Sequence, residues 1–289
     1  MLQIELEKAI DLARLAGKKI LEHYAAGFVT EEKVGADNYS EPVTIADREA
    51  SRIIVDGLSE AFPEDGILSE EEKDDAELRL TRGRVWIIDP IDGTAGYIAH
   101  DGDFAVHIGL AEAGVPIAGV VFLPFHDVLS YATKGGGAFS VAGSGSPVQI
   151  HTSDKRDLSK ITMAVSRHHQ SPRMSKIIKQ FGSPQVVSRG SVGLKVGLIT
   201  EQICDVYVSP GARTKLWDTC APQIILEEAG GRFTDLFGME LRYDQADLQN
   251  RNGLLATNGG VHNAAVEALK PLLREFGRVP YARSADQKS

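Results

Sequence analysis

The chain has 289 residues, of which 43% are hydrophobic and 25% are charged, so it is long enough to bury a large core without disulfides. Its 40 acidic and 31 basic residues give a net charge of −9, which excludes a generally basic nucleic-acid-binding surface. No apolar run approaches the roughly 20 residues of a membrane span, so no membrane partner is expected. An acidic chain that binds an anionic ligand needs local cations, and the composition therefore favours a metal site.

Apolar residues recur with a period close to 3.6 over residues 4–25, which predicts an amphipathic helix that ends at Gly27. Acidic residues within this stretch are not typical of a secretory signal, so a cytoplasmic protein is expected. A second helix is predicted after Thr44, with Asp47 in its first turn. Short apolar runs bounded by Gly, Pro or charged residues then predict strands at 66–69, 85–89, 104–113, 116–124 and 128–133.

The pattern changes after the Gly/Ser-rich segment 142–147, where predicted strands and helices alternate as in an α/β layer. The expected organisation is an α+β lobe over 1–145, an α/β lobe over 146–275 and a tail over 276–289. The predicted strands are 161–166, 184–188, 205–209 and 254–258, and the predicted helices are 174–181, 193–202, 220–230 and 261–277.

The three consecutive glycines and the two cysteines are each predicted to have a structural role and not a binding role. Three consecutive glycines at 135–137 lie between strand-like runs and lack a following Lys-Ser/Thr, which favours a hairpin turn over a nucleotide-binding loop. Cys204 and Cys220 have no second thiol or histidine at metal spacing, so we expect buried free thiols in a reducing compartment.

The segment VWIIDPIDGT carries an apolar strand directly into two carboxylates, Asp89 and Asp92, with Pro90 and Gly93 predicting a turn. Two carboxylates that converge on a turn repel each other unless a cation lies between them. Hard oxygen ligands of this type suit Mg²⁺. The alternative is that both aspartates only cap the turn and a helix that begins near Thr94.

More carboxylates follow the same pattern. Glu70 ends another apolar run, which places it at the same sheet edge as Asp89, whereas the neighbouring Glu71 and Glu72 are expected beyond the ligand positions or in solvent. Asp218 precedes an apolar-periodic segment and is predicted to be the N-cap of a helix that has Pro222 in its first turn. The N–H groups of such a helix start favour phosphate oxygens.

Taken together, EE at 70–71, DPIDGT at 89–94 and WDxxA at 217–221, with Thr44 and Asp47 upstream, resemble the Mg²⁺-dependent, lithium-sensitive superfamily of inositol monophosphatases and bisphosphate nucleotidases. The resemblance spans roughly residues 10–260. It implies an α+β/α/β fold, the layered αβαβα sandwich that fructose-1,6-bisphosphatases also have. It also implies a phosphomonoesterase.

The resemblance implies a shared metal site with two or three Mg²⁺ ions. Glu70, Asp89 and the backbone carbonyl of Ile91 would hold one ion, and Asp89, Asp92 and Asp218 would hold a second. The sequence leaves open whether a third ion is used. It also leaves the oligomeric state open, with a homodimer as the arrangement that many family members adopt.

Catalytic roles carry over in the same way. Asp47 and Thr94 match the family pair that orients the attacking water, beside the metal ligand Glu70. The backbone N–H groups of Gly93 and Thr94 match the family's phosphate donors. Two metals bridged by one carboxylate then fit an in-line attack of water on phosphorus without a phosphoenzyme.

Substrate choice depends on the second lobe. Inositol monophosphatases carry a Glu where this chain has Ser209, which weakens the inositol interpretation. The segments 103–107, 166–169 and 190–195 are instead similar to 3′(2′),5′-bisphosphate nucleotidases, although those usually carry Arg at the Ser209 position. A second phosphate needs cationic donors, and a base needs a stacking partner such as His168 or His169. The expected substrate-binding residues are Ser166, Arg167, His168, Ser191, Lys195 and Arg213.

The leading functional hypothesis is hydrolysis of 3′-phosphoadenosine 5′-phosphate to AMP and phosphate. The alternatives are an inositol-1-monophosphatase, or a phosphatase of another small phosphate such as histidinol phosphate. A non-catalytic sensor on the same fold is a further alternative, because fold alone does not prove activity. The expected partner is in each case a small phosphorylated molecule.

Overall fold

The structure, a computed structural model, describes residues 2–27, 30–34, 40–167 and 171–281. The elements of the N-terminal half are α1 (Gln3–Ala26), β1 (Thr30–Val34), β2 (Ser40–Thr44), α2 (Ile45–Ala61), β3 (Gly66–Ser69), α3 (Ala76–Arg79), β4 (Arg84–Asp92), α4 (Thr94–Ile98), β5 (Ala105–Glu112), β6 (Val115–Leu123), β7 (Val128–Thr133), β8 (Gly137–Ala142) and β9 (Val148–Gln149). Those of the C-terminal half are β10 (Thr162–Ser166), α5 (Pro172–Gln180), β11 (Gln185–Arg189), α6 (Val192–Thr200), β12 (Val206–Ser209), α7 (Leu216–Glu228), β13 (Arg232–Thr234), β14 (Leu254–Thr257) and α8 (His262–Glu275).

The first sheet contains seven strands in the order β3-β4-β5-β6-β7-β8-β9. Strands β3 and β4 are parallel, and the remaining pairs are antiparallel. Helices α1 and α2 cover one face, where Ile20 and Ile54 join a core with Trp86, Ile88 and Val106 of the sheet. The amphipathic period of the N-terminal segment is explained by this packing.

The second sheet contains five strands in the order β11-β10-β12-β14-β13. Strands β11, β10 and β12 are parallel, and β14 runs antiparallel to both its neighbours. Helices α5 and α8 pack on one face, where Ile177 and Leu269 share a core with Met163, Val206 and Leu255.

Helices α6 and α7 form the layer between the two sheets. Ala221 and Ile225 of α7 pack with Val121 of the first sheet. Leu226 of α7 shares a separate core with Phe233 of the second sheet. The layers therefore follow the order αβαβα, which confirms the fold predicted from the sequence.

The predicted division into lobes at 145/146 stays a prediction. The first sheet extends to β9, and the shared layer of α6 and α7 contributes to the cores on both sides. Among the described residues, no helix is both long and apolar enough to cross a membrane.

Most predicted helices and strands are confirmed within a few residues, including the hairpin turn at 135–137 between β7 and β8. Both cysteines, Cys204 and Cys220, are buried free thiols, as expected. Burial raises the pKa of Cys204 to about 12 and raises that of Cys220 further. The sequence did not predict the hairpin of β1 and β2, the short strands β9 and β13, or α3.

Two local predictions were wrong. Asp218 is not the N-cap of α7 but its third residue, because the helix begins at Leu216. Pro222 consequently lies inside the helix and not in its first turn. The apolar side chains of Leu216 and Trp217 are buried, and their packing extends the helix two residues beyond the start predicted from the capping preference of Asp.

Candidate active site

Glu70 and Asp89 come together because β3 and β4 are parallel neighbours. Ser69 pairs with Ile88, and the backbone N–H of Glu70 donates to the carbonyl of Ile88 over 3.2 Å. The residues that follow each strand therefore meet at one sheet edge. The Glu70 side chain acts on Asp89 both by its charge and through a side-chain hydrogen bond.

Asp92 joins them through a bulge in β4. In a regular strand, two residues three positions apart point to opposite faces of the sheet. Here Asp89 pairs with His107 and Asp92 pairs with Ala105, so the bulged strand carries one extra residue. The predicted turn at Pro90 is thus a bulge inside β4, where the missing N–H of proline is tolerated.

Asp218 approaches from the layer between the sheets. Its carboxylate accepts a hydrogen bond from the backbone N–H of Lys215, which fixes it at the start of α7. Among the described residues, one group of acidic side chains has the proximity that a metal ion requires. In that group, carboxylate oxygens of Asp89, Asp92 and Asp218 lie within 4.8 Å of one another.

The electrostatics of this group fit a bound cation. Burial, followed by the negative charges of Glu70, Asp92 and Asp218, holds the pKa of Asp89 well above its usual range. Its Oδ1 is buried and has no hydrogen-bond partner within the described part of the chain. A divalent cation would supply the missing partner and neutralise the repulsion. A set of carboxylate oxygens matches the ligand preference of Mg²⁺.

Asp47 is the third residue of α2 and is 4% exposed. Its Oδ2 accepts the backbone N–H of Thr44 over 2.8 Å and the Thr44 hydroxyl over 2.6 Å. Burial raises the pKa of Asp47 to about 6 against the opposing effect of these hydrogen bonds. Asp47 and Asp218 thus hold the same position in their helices, each accepting from the backbone N–H of the residue before the helix.

Gly93 connects β4 to the short helix α4 with a left-handed backbone, φ 95°. A Cβ at this position would approach the carbonyl oxygen of Asp103 to 2.6 Å, so both conformation and space require glycine. Thr94 begins α4, and its hydroxyl donates to the carbonyl of Ile91 over 3.1 Å. The carbonyl expected to bind metal and the hydroxyl expected to orient water are therefore in contact.

Ser191 was expected to bind substrate, but the structure places it on a carboxylate of the acidic group. Its hydroxyl donates to Oδ2 of Asp92 over 2.5 Å. The backbone N–H of Gly193 donates to the same oxygen over 3.0 Å, and Nε2 of His107 lies 3.3 Å from it. His107 and Gly193 lie in the segments 103–107 and 190–195 that resemble nucleotidases, but neither residue was assigned a role from the sequence, because their contacts join β5 to the start of α6 in the layer between the sheets.

Lys195 of α6 is a buried cation near Asp92 and Asp218. It is 4% exposed, its ammonium group donates to the carbonyl of Gly190, and Nζ lies 5.0 Å from the centre of the Tyr207 ring. Burial lowers the pKa of Lys195 to about 8, while the charges of Asp92, Asp218 and Asp103 act in the opposite direction. Ser209 hydrogen-bonds to the Tyr207 side chain, next to this cation.

Arg167 is already paired with two aspartates. Its Nη1 lies 2.5 Å from Oδ2 of Asp101, and its Nη2 lies 2.8 Å from Oδ2 of Asp103. Asp103 also accepts the backbone N–H of Gly190 over 2.7 Å. Asp103 thus connects the guanidinium to Gly190, whose carbonyl accepts the hydrogen bond from Lys195.

The other expected substrate-binding residues occupy separate positions. Ser166 ends β10, and Arg213 is exposed in the segment before α7. His168 and His169 lie outside the described residues, so their predicted stacking role stays a prediction.

Over most of its length the chain is similar to known proteins. The model of the inositol monophosphatase family matches residues 2–274. The 3′(2′),5′-bisphosphate nucleotidase CysQ of Salmonella typhimurium is 34% identical over 238 residues, which cover 82% of this chain and 93% of that protein. A protein of Thermotoga maritima named fructose-1,6-bisphosphatase/inositol-1-monophosphatase is 30% identical over 277 residues, covering 94% and 98%.

Solved structures give the same picture. The Thermotoga maritima IMPase has a TM-score of 0.77 at 29% identity and covers 95% of this chain and 100% of its own. CysQ from Bacteroides thetaiotaomicron, titled a bacterial member of the inositol monophosphatase family, has a TM-score of 0.74 at 33% identity and covers 89% and 98%.

Proposed function

This chain belongs to the inositol monophosphatase family, and we propose that it is a Mg²⁺-dependent 3′(2′),5′-bisphosphate nucleotidase. It is a phosphomonoesterase that hydrolyses 3′-phosphoadenosine 5′-phosphate to AMP and phosphate. The observation that carries the substrate assignment is the 34% identity to proteins named for this activity, extending over 82% of the chain.

In this proposal the acidic group holds two or three Mg²⁺ ions. The ligands are the carboxylates of Glu70, Asp89, Asp92 and Asp218 and the carbonyl of Ile91. The unpartnered Oδ1 of Asp89 supports a role for that residue as a metal ligand. When bound, the ions activate water, polarise the phosphoryl group and neutralise the leaving oxygen.

Asp47 orients the attacking water. Both hydrogen bonds from Thr44 go to Oδ2, so Oδ1 is the oxygen that accepts from water. With a pKa of about 6 the side chain is mostly a carboxylate at neutral pH and can accept a proton. The Thr94 hydroxyl, next to the Ile91 carbonyl, orients the same water. Backbone N–H groups of Gly93 and Thr94 bind phosphate oxygens where α4 begins.

The second phosphate is recognised by the cations of the second sheet. Lys195 is mostly charged at pH 7, because its pKa is about 8. Arg167 reaches the phosphate only by sharing its donors with Asp101 and Asp103. Arg213, Ser166 and His168 complete the proposed substrate-binding set.

A second candidate function is hydrolysis of a sugar or polyol phosphate. The Thermotoga maritima protein named fructose-1,6-bisphosphatase/inositol-1-monophosphatase aligns with 94% of this chain, and the Thermotoga maritima IMPase has the higher TM-score of the two compared structures, 0.77. Ser209 weighs against inositol, because it provides only a hydroxyl that hydrogen-bonds to Tyr207.

A substrate panel distinguishes these functions. Phosphate release is measured with Mg²⁺ and 3′-phosphoadenosine 5′-phosphate, inositol 1-phosphate, fructose 1,6-bisphosphate or histidinol phosphate. The bisphosphate nucleotide is expected to have the highest kcat/KM. A preference of about 100-fold for inositol 1-phosphate, which corresponds to about 2.7 kcal/mol, would overturn the assignment.

Two further measurements test the chemistry. Mg²⁺-dependent turnover that disappears in Asp92→Asn excludes a non-catalytic sensor. Lithium is expected to inhibit by occupying a metal position, and insensitivity to lithium at limiting Mg²⁺ would contradict the proposed site. A cytoplasmic location is also proposed, since the buried free thiols Cys204 and Cys220 are typical of reducing compartments; cell fractionation tests it.

A further inference from the structure

One oxygen of Asp92 receives three contacts from other parts of the chain. The Ser191 hydroxyl is 2.5 Å from Oδ2, the Gly193 backbone nitrogen is 3.0 Å from it, and Nε2 of His107 is 3.3 Å from it. All three groups therefore lie against the same oxygen, and two of them donate hydrogen bonds to it. The same carboxylate belongs to the group whose oxygens, with those of Asp89 and Asp218, lie within 4.8 Å of one another.

The direction of the Ser191 hydroxyl is fixed by the start of α6. Ser191 is the N-cap of that helix, and its oxygen accepts the backbone N–H of Leu194 over 3.1 Å. With one lone pair used by the cap, the single hydroxyl proton points to Asp92. A hydroxyl held in this way is committed to the carboxylate and is not available to substrate.

Space around the carboxylate is closed. Ser191 is 3% exposed, His107 is 0% exposed, and the Asp92 side chain is 8% exposed, so water cannot readily replace the hydroxyl. A Cβ at Gly193 would lie 2.3 Å from Nε2 of His107. Glycine at this position therefore allows the His107 ring and the Gly193 N–H to approach Asp92 together.

We propose that Ser191 is a positioning residue that, with the backbone N–H of Gly193, fixes Oδ2 of Asp92 so that Oδ1 is presented to a metal ion. This inference rests on the proposed metal-dependent function. It replaces the substrate-binding role expected of Ser191. It also means that a helix packed between the two sheets sets the geometry of a ligand that belongs to the first sheet.

The test compares Ser191→Ala with Ser171→Ala. Ser171 is the N-cap of α5, a helix of 9 residues like α6, and its hydroxyl likewise accepts the N–H of the third helical residue, over 3.2 Å. Both variants lose a helix cap, but Ser191→Ala alone loses the contact with Asp92. Because Gly is better tolerated than Ala at an N-cap, Ser191→Gly provides a second variant if Ser191→Ala does not fold.

Mg²⁺ binding to the metal-free full chain is measured by calorimetry without substrate, and kcat and KM are measured separately. The Kd for Mg²⁺ is expected to rise about 10–100-fold in Ser191→Ala and Ser191→Gly, as for other groups that orient a metal ligand, and to be unchanged in Ser171→Ala. At saturating Mg²⁺ the KM for substrate should stay near the wild-type value. Ser191→Thr keeps the hydroxyl, so its Kd for Mg²⁺ should be much closer to the wild-type value than that of Ser191→Ala.

A raised KM with an unchanged Kd for Mg²⁺ would overturn the inference and return Ser191 to substrate binding. An unchanged Kd and an unchanged KM would overturn it as well. In both cases a wild-type chain that binds Mg²⁺ and hydrolyses the bisphosphate nucleotide leaves the proposed function intact. A wild-type chain that binds no Mg²⁺ would instead refute the proposed function, and the inference with it.

Discussion

The acidic group at the end of β4 and the cations near the ends of β10 and β11 are built in opposite ways. Asp89 keeps a buried oxygen without a partner in the described chain, beside three other negative charges. Arg167 is paired with two aspartates, and Lys195 donates to a backbone carbonyl under a tyrosine ring. The negative charge of the first region is not compensated by the protein and is available to a ligand. The positive charges of the second region are already compensated by contacts within the protein.

This difference suggests that the acidic group determines the rate of hydrolysis and that the cationic region determines substrate preference. Uncompensated carboxylates in a buried site bind cations strongly, because the alternative is repulsion or protonation. Cations that are already paired gain less from a new anion, since the old partner must be given up. We therefore expect large effects from changes in the acidic group and graded effects on substrate preference from changes in the second region.

The largest effect is expected for Asp89→Asn. If Asp89 holds two metal ions as proposed, its loss should reduce kcat/KM by about 10³-fold or more, because those ions would carry most of the electrostatic stabilisation. The metal-free variant should have a higher Tm than metal-free wild type, since a buried charge is replaced by a neutral group of similar shape. The control is Asp11→Asn on the exposed surface of α1. A lower Tm with activity retained would contradict the assigned role.

Asp47→Asn is expected to lower kcat by about 10²–10⁴-fold with little change in KM, because in the proposed mechanism the Asp47 carboxylate acts on the attacking water. Equal changes in kcat and in substrate affinity would argue against that role.

The pH profile provides a second measurement on Asp47. In wild type, kcat/KM should fall as the pH drops through about 6, where Asp47 takes up a proton, and this step should be absent in the variant. The folded-state pKa lies above the ordinary value of 3.8, so protonation of this group stabilises the fold, and that contribution is lost as pH rises through 6. The loss of activity in acid is therefore not explained by unfolding at Asp47.

Lys195→Met should act in opposite directions on the two ligands. Removing a buried positive charge near Asp92 and Asp218 should tighten Mg²⁺ binding severalfold, whereas the KM for the bisphosphate nucleotide should rise by about tenfold, or 1.4 kcal/mol. Calorimetry and steady-state kinetics measure the two effects separately. Weaker binding of both ligands would show that Lys195 mainly supports the Gly190 turn.

The smallest effect is expected for Arg167→Gln. The KM for the bisphosphate nucleotide should rise by less than about tenfold, because a guanidinium paired with Asp101 and Asp103 offers a modest net gain. The control is Arg242→Gln, which breaks an exposed pair with Asp244 near the β5–β6 turn. A rise in KM of about 100-fold would mean that the substrate displaces Asp101 and Asp103 from Arg167. The ion pairs of this region would then be more easily exchanged for a ligand than the structure indicates.

The individual helices and strands and the identity of the acidic residues were accessible from the sequence because they depend on local patterns, and the layered fold was implied by the family resemblance. Two apolar runs that each end in a carboxylate predicted that Glu70 and Asp89 lie at one sheet edge, and the parallel pairing of β3 with β4, which was not predicted, brings them together. The bulge that brings Asp92 to the same side, and the earlier start of α7 before Asp218, depend on packing that no short segment contains.

The partners of Ser191, Lys195 and Arg167 were not accessible in this way. Each was predicted to bind substrate because its residue type is polar or cationic and its motif is similar to that of nucleotidases. In the structure each meets a group from a distant part of the chain or from a neighbouring turn, and those contacts decide how much of its charge or hydrogen bonding remains for a ligand.

The sequence by itself determined the helices, the strands and the residue types of the acidic site, since hydrophobic periodicity and strand-end motifs are local. The family resemblance that those motifs carry implied the layered fold and a phosphomonoesterase. Only the tertiary structure decided which oxygen of Asp92 is held, which carboxylate oxygen lacks a partner and which cations are already neutralised. Those properties depend on burial and on contacts between elements as far apart in the chain as β5 and α6. Where water is excluded, an unpaired charge costs more free energy and a paired charge is held more strongly than at the surface.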